Sequence, residues 1–343
     1  MGVGSHLAKL GVRMIITYLA VIASYFVIIR VLPVLAAGGN PMADPVIAAL
    51  RRTAEDPRFN LWIEEAMKRF GLDRPLFPDQ FILYMKNTLA YNFGISIFTQ
   101  RPVLSEIAIR LPYTLSLYTI LTILPIVIGY YLGIVSAQHR GKKLDTALTQ
   151  GAIISYIIPS WLILLLVYYF LAYLPKRVWG FYIFPLPVKP PSIEIADMEA
   201  FKYLLWYMTP LIMAGTLAWT GPWIYFIRQI VVSELGSDYS MVALAKGGAP
   251  RYVLRKHVVP NVRPPLMVQL AYAVPGIFGG ALIFEIVGNW PGIAYFAYQA
   301  FLNWDFPVMT AFFAISATLI VVSLFVAELL LLLLDPKART KGS

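Results

Sequence analysis

Five stretches of this chain run for 21 to 30 residues without an acidic or basic side chain: Leu111–Gln138, Thr146–Pro175, Tyr203–Ile227, Pro264–Phe284 and Phe306–Ala327. A helix needs about 20 apolar residues to cross the ~30 Å hydrocarbon core of a bilayer. Inside lipid only a helix or a closed barrel satisfies its own backbone groups. Each stretch is therefore expected to be a transmembrane helix. A sixth, Met14–Ile29, is bounded by Arg13 and Arg30, whose long side chains can snorkel to the interface, so a first span over residues 11–32 is expected. Val34-Leu-Ala-Ala37 resembles a signal-peptide cleavage region, but the apolar run is longer than a usual signal core, and the span is read as retained. Ile286–Trp304 is also apolar. Asn289, Pro291 and Gly292 interrupt it, and its aromatics (Trp290, Tyr295, Phe296, Tyr298, Phe301, Trp304) suit a segment lying in the interface.

Composition agrees. Hydrophobic residues make up 59% of the chain and charged residues 13%, against about a quarter in soluble domains. With no cysteine and three scattered histidines (His6, His139, His257), neither a disulfide framework nor a metal site is expected. The net charge of +10 is explained by its distribution. Segments 1–13, 139–145, 228–263 and 335–343 hold 14 Lys/Arg and 4 Asp/Glu, which places them, and both termini, in the cytoplasm by the positive-inside bias. A nucleic-acid role needs no support from this charge.

The fold class expected is an all-α membrane protein of six transmembrane helices, with a small extracellular subdomain after the first and a cytoplasmic loop between the fourth and fifth. Residues 1–33 hold the cytoplasmic N-terminus and first helix, 34–110 the extracellular region, 111–335 the remaining five helices with the loop 232–262, and 336–343 a cytoplasmic tail. Short helices are predicted over Pro45–Arg52 and Asn60–Phe70, the latter capped by Asn60 with Glu64 and Glu65 in its first turns, and a turn over Asp73–Pro78. A second outer loop, 176–202, is rich in proline (Pro185, Pro187, Pro190, Pro191). Gly129/Gly133 and Gly276/Gly280 are small-residue pairs at helical spacing, suited to close helix packing or gating. Pro125, Pro159, Pro222 and Pro275 are helix breakers, which lipid tolerates where neighbours resatisfy the backbone. The only intramembrane charges are Glu285 and Glu328, both toward span ends. Glu285 is read as a structural or gate residue at the outer end. The absence of a central ionisable relay argues against a proton-coupled carrier and for an external energy source.

The most informative segment is the loop. Ser237 or Asp238 is expected to cap a short helix over Tyr239–Lys246, ended by Gly247 and Gly248 in φ > 0 conformations. Pro250 fits the first turn of a second helix, Arg251–Val259, which Pro260 is expected to stop before Pro264–Pro265 open the fifth span. This predicts a rigid cytoplasmic protrusion, presenting Tyr239, Val242, Ala243 and Lys246 to another protein's groove.

The loop is similar to the EAA loop of ABC importer permeases, EAA-x3-G-x9-I-x-L-P. Met241-Val242-Ala243 stands in the EAA place, Gly247 at the glycine, His257 and Val259 at the isoleucine and leucine, and Pro260 at the proline. The third alanine, the glycine and the proline match, while the glutamate and first alanine are replaced, a departure that resembles the oligopeptide/dipeptide permease B-subunit family. Arg110-Leu-Pro-Tyr-Thr-Leu115, Ser155–Trp161, Trp290-Pro-Gly292, Asp305-Phe-Pro-Val308 and Leu334-Asp-Pro-Lys337 follow in the family's order.

The resemblance implies a subunit without covalent chemistry or cofactor of its own. It would pair in the bilayer with a homologous second permease, two ATPase subunits that bind ATP and Mg, and an extracytoplasmic solute-binding protein. The ATPase contact would lie at Asp238, Tyr239, Val242, Ala243, Lys246, Gly247 and Gly248, with His257 and Pro260 completing the loop. Peptides or oligosaccharides are the implied cargo, and no solute-contacting residue can be named.

Overall fold

The computed structural model describes residues 3–48, 67–68, 70–188 and 198–334. The predicted helix over 60–70, the prolines 190 and 191, and the tail 336–343 lie outside them, apart from a few residues at the end of that helix. In chain order the helices are α1 (Val3–Phe26), α2 (Leu32–Ala36), α3 (Phe81–Leu89), α4 (Val103–Gln138), α5 (Lys143–Ile157), α6 (Ser160–Tyr168) and α7 (Leu174–Trp179), followed by α8 (Met198–Leu235), α9 (Asp238–Ala245), α10 (Pro250–Val253), α11 (Val259–Val287), α12 (Ile293–Leu302) and α13 (Phe306–Leu334). Among the described residues the regular structure is helical, apart from one isolated bridge between Ile95 and Pro102. Four segments there are long and apolar enough to cross a membrane: Leu7–Ala36, Val103–Gln138, Ser160–Trp179 and Phe306–Leu329. Two compact units form, one from Met1–Pro112 and Gly292–Phe325, the other from Tyr113–Pro291 and Val326–Lys341.

In the first unit α1 runs through a π-turn, Val27–Val31, into α2. Its core gathers Ile22 and Tyr25 of α1, Val103 and Ile107 of α4, Phe296 of α12, and Met309, Ala311 and Ala314 of α13. Arg30 does not snorkel. It is 4% exposed and donates from Nε and Nη2 to Asp44 Oδ2 at 3.0 and 2.6 Å, and from Nη2 to Gln80 Oε1 at 2.6 Å. The Phe26 ring lies 5.4 Å from its guanidinium. A buried guanidinium is tolerated where, as here, its donors are met by a carboxylate and an amide oxygen. Asp305 is likewise buried, accepting from Ser96 Oγ at 2.6 Å and from the Phe98 N–H at 3.1 Å. Burial raises its carboxyl above the usual aspartate range, and these hydrogen bonds oppose that shift. The segment expected to lie along the interface is divided between the two units. Trp290 is fully buried in the second unit, whereas α12, only about 15 Å long, buries Ile293, Ala294, Phe296, Ala297 and Ala300 and exposes Phe301. One face of the helix is thus packed within the first unit, while Phe301 and Leu302 stay on the surface.

In the second unit the third expected span, 146–175, is not one helix. Ile158 and Pro159 are extended (ψ 124° and 131°), separating α5 from α6. A proline crowds the residue before it out of the helical region, and here Pro159 breaks the chain instead of kinking it. Pro210 and Pro222, by contrast, lie inside the continuous α8. At 38 residues α8 is about 57 Å long, well beyond a ~30 Å hydrocarbon core.

Candidate functional site

The loop between α8 and α11 is ordered by its own backbone chemistry. Ser237 is the extended cap residue of α9 (ψ 153°), but its hydroxyl turns back to the Glu234 carbonyl at 2.6 Å, with Ser240 Oγ at 3.2 Å, and caps no backbone N–H of α9. Asp238, in the first turn, complements the helix dipole. At the other end the Gly248 N–H reaches the Ala243 carbonyl (3.2 Å) and the Gly247 N–H the Leu244 carbonyl (2.9 Å), a Schellman closure. Gly247 supplies the left-handed φ of +85° that this closure needs. Gly248 does not share that φ. Its requirement is steric, since a Cβ there would lie 2.7 Å from the Ala243 carbonyl oxygen and 2.9 Å from Val253 Cγ2.

Pro260 does not stop the second helix. The turn Leu254–Val258 widens to a π-turn just before it, and Pro260 follows within the same run of helical backbone, as the second residue of α11. Pro264 and Pro265 therefore lie inside α11. The second half of the loop is thus continuous with the long helix after it. Val253, Leu254, Val258 and Val262 are buried, the last three in one apolar cluster with Ala137 of α4 and with Ile227 and Val231 of α8. On α9, Tyr239, Val242 and Lys246 are exposed and Ala243 is half-buried. Met241 and Leu244 are exposed as well, so the apolar surface is broader than the predicted face. The fully buried Ser240 turns inward and donates to the Glu234 carbonyl at 2.8 Å. His257 stands in the π-turn, its ring 6.1 Å from that of Tyr252. Exposed Arg251, Arg255 and Lys256 make this side strongly basic.

Sequence reasoning missed the group at the root of this loop. Asp145, at the start of α5, accepts from Arg228 of α8 in a two-pronged pair, Nε to Oδ1 at 2.6 Å and Nη2 to Oδ2 at 2.8 Å. It also accepts from Ser136 Oγ of α4 (2.7 Å) and from the Gly141 N–H (2.9 Å). Single residues bounding charge-free stretches gave no sign that 145 and 228 meet. The Arg228 hydrogen bonds, joined by those of Ser136 and Gly141, hold the Asp145 carboxyl well below the usual range, against burial, which raises it. Since the folded value is the lower one, the stabilisation is complete above the ordinary aspartate pKa near 4 and is lost as pH falls below it. Between about pH 6 and pH 3 the thermal midpoint of the wild-type protein in detergent is expected to fall more than that of Asp145→Asn. Equal slopes would show that the pair contributes nothing to stability.

Toward the other end of the same unit, Glu285 of α11 is fully buried and accepts from Thr114 Oγ1 of α4 at 2.7 Å. Nearby, Trp290 Nε1 donates to the Tyr113 carbonyl at 3.0 Å and Tyr207 OH to the Gly288 carbonyl at 3.1 Å, tying α4, α8 and the end of α11 together. Gly129 and Gly133 of α4 lie against α8, where Cβ atoms would fall 2.3 Å from Trp223 Cβ and 2.7 Å from Ile227 Cβ. Gly276 and Gly280 fall within α11, at positions outside the described side chains. Among the described residues no three His, Asp or Glu side chains gather as a metal site would require.

Residues 129–340, which include the loop and its root, match the family model described as "Binding-protein-dependent transport system inner membrane component". The chain is 30% identical to the probable peptide ABC transporter permease protein y4tP of Sinorhizobium fredii, over 95% of this chain and 98% of that one. It is 26% identical to the dipeptide transport system permease protein DppB of Lactococcus lactis, over 97% and 98% of the two chains. The metal-staphylopine import system permease protein CntB of Staphylococcus aureus is 28% identical, over 81% and 82%.

Proposed function

Because the chain belongs to the family of binding-protein-dependent transport system inner membrane components, we propose that it forms half of a peptide translocation pathway and takes its motion from ATPase subunits through the loop 232–262. The chain is a multi-pass membrane protein and a permease subunit of such an importer. Six helices cross the bilayer with both termini in the cytoplasm, spans two to six line the pathway, a homologous second permease completes it, and two ATPase subunits hydrolyse ATP. A solute-binding protein delivers cargo from outside. The peptide reading follows the peptide and dipeptide systems of the similar relatives. Oligosaccharides and chelated metals are the competing cargoes, the latter suggested by the metal-staphylopine system.

The observation that carries the coupling role is the loop's construction. α9 is closed at its C-terminal end by the Gly247–Gly248 hydrogen bonds, exposes Tyr239, Val242 and Lys246, and continues through buried anchors into α11. A helix so held cannot be pushed without moving the helices that bear it. Two substitutions test this in the reconstituted complex. Ala243→Glu introduces a charge on the contact helix, and Gly247→Trp forces a bulky residue into a φ of +85°. Both variants are expected to reach the membrane and to lose the ATPase stimulation given by the solute-loaded binding protein. Normal stimulation and uptake in both would remove the loop from the mechanism. Loading the binding protein with peptides or with oligosaccharides decides the cargo. Because the chain has no native cysteine, single introduced cysteines probed with an impermeant thiol reagent decide span number and orientation.

A further inference from the structure

We propose that Asp145 and Arg228 are positioning residues for transport, clasping α5 to the root of the loop so that loop and α5 move as one lever. The inference rests on the permease reading above. Arg228 lies seven residues before the end of α8 at Leu235, where the loop begins. Its guanidinium grips Asp145 through two parallel hydrogen bonds, and the same carboxylate collects the end of α4 and the α4–α5 turn through Ser136 and Gly141. A second contact lies one heptad further along both helices, running antiparallel. Gly221 of α8 is pressed against α5 so closely that a Cβ would fall 1.9 Å from Ser155 Oγ and 2.5 Å from the Ala152 carbonyl oxygen. α5 is therefore held to α8 over two turns, by a charge pair at one contact and a backbone approach at the other.

Beyond that contact the chain is extended at Ile158 and Pro159, and α6 starts afresh. Helical hydrogen bonds do not pass through this break, so α5 and α6 each answer to α8 through their own contacts with it. A push on α9 reaches α8 directly. It reaches α5 across their shared packing face, where the ion pair is the contact with direction and specificity: a bidentate fork fixes rotation as well as distance. Mere packing at Gly221 would let α5 roll.

The test uses the complete complex in proteoliposomes: both permeases, the ATPases and the binding protein. The quantity read is the ratio of ATPase activity with saturating loaded binding protein to activity without it, normalised to assembled complex. Asp145→Asn and Arg228→Gln are each expected to lower this ratio about fivefold or more, the scale of a coupling between sites. The double variant is expected to be no worse than either single one. Arg228→Lys, which keeps charge and loses the fork, should fall between. A purely structural pair would reduce the amount of complex and leave the ratio unchanged.

Wild-type ratios in both single variants would overturn the proposal. So would a double variant that loses the product of the two single effects. If a single variant leaves one buried charge stranded and fails to assemble, the neutral double variant is read alone, and a wild-type ratio there is decisive against the clasp. Failure of the wild-type complex to respond to any loaded binding protein would instead overturn the permease reading.

Discussion

Valine in place of Gly129 or Gly133 is expected to prevent α4 from seating on α8 and to cost most of the folded yield. The Cβ of residue 129 would stand 2.3 Å from Trp223 Cβ and 3.1 Å from the Trp223 backbone carbon. That of residue 133 would stand 2.7 Å from Ile227 Cβ and 2.9 Å from the Ile224 carbonyl oxygen. Backbone atoms do not swing aside as a side-chain tip does, so the helices must separate along two turns. In lipid no hydrophobic force closes the gap, because acyl chains are as apolar as leucine, and packing is most of what holds such helices together. The cost is placed at or above the upper end of the roughly 1–3 kcal/mol typical of overpacking. Thermal midpoint and monodisperse yield in detergent measure it. Gly151→Ala is the control, since nothing lies within 4 Å of a Cβ there and helix propensity favours alanine by up to about 1 kcal/mol. A Gly129→Val protein as stable as this control would show that α4 and α8 are not held at this distance.

Arg30→Ala is expected to be the most damaging single change in the first unit. It strands Asp44, which is 2% exposed and otherwise accepts only a backbone N–H from Val46 among the described hydrogen bonds, and it removes the donor to Gln80 Oε1. Breaking a buried pair from one side costs about 3–5 kcal/mol, since the remaining charge is left desolvated. The pair also ties the π-turn after α1 to residues 44 and 80, so its loss frees three segments together. The double variant Arg30→Met/Asp44→Leu should recover much of the loss, because two apolar groups of similar size need no partners. Midpoints of the three proteins measure both effects, and equal losses in single and double variants would exclude the stranded charge as the cause.

Helix identity and membrane character were legible because both rest on local patterns. Charge-free runs of span length mark α4, α8, α11 and α13, and the glycines and prolines of the loop mark its turn. Pro159, Pro222 and Pro260 are chemically alike in sequence, yet one breaks a helix, one lies inside a continuous helix and one follows a π-turn in a helix that runs on. Which outcome holds depends on whether neighbouring backbone can satisfy the freed carbonyls, a matter of tertiary surroundings. Arg30 looked like an interfacial anchor because its partners lie 14 and 50 residues away. Trp290 looked like part of an aromatic belt until its indole N–H found the Tyr113 carbonyl.

The sequence by itself determined that this chain lives in a bilayer, is built of helices, and carries a short, glycine-ended helix in a basic loop. Those properties follow from hydrophobic length, capping chemistry and charge sign, each settled within some 30 residues. Only the tertiary structure decided that Asp145 and Arg228 meet at the root of that loop, that α5 stops at Ile157, and that Gly248, unlike Gly247, is needed for space and not for a positive φ. These are statements about distances between residues remote in the chain or about backbone angles, and side-chain type alone encodes neither.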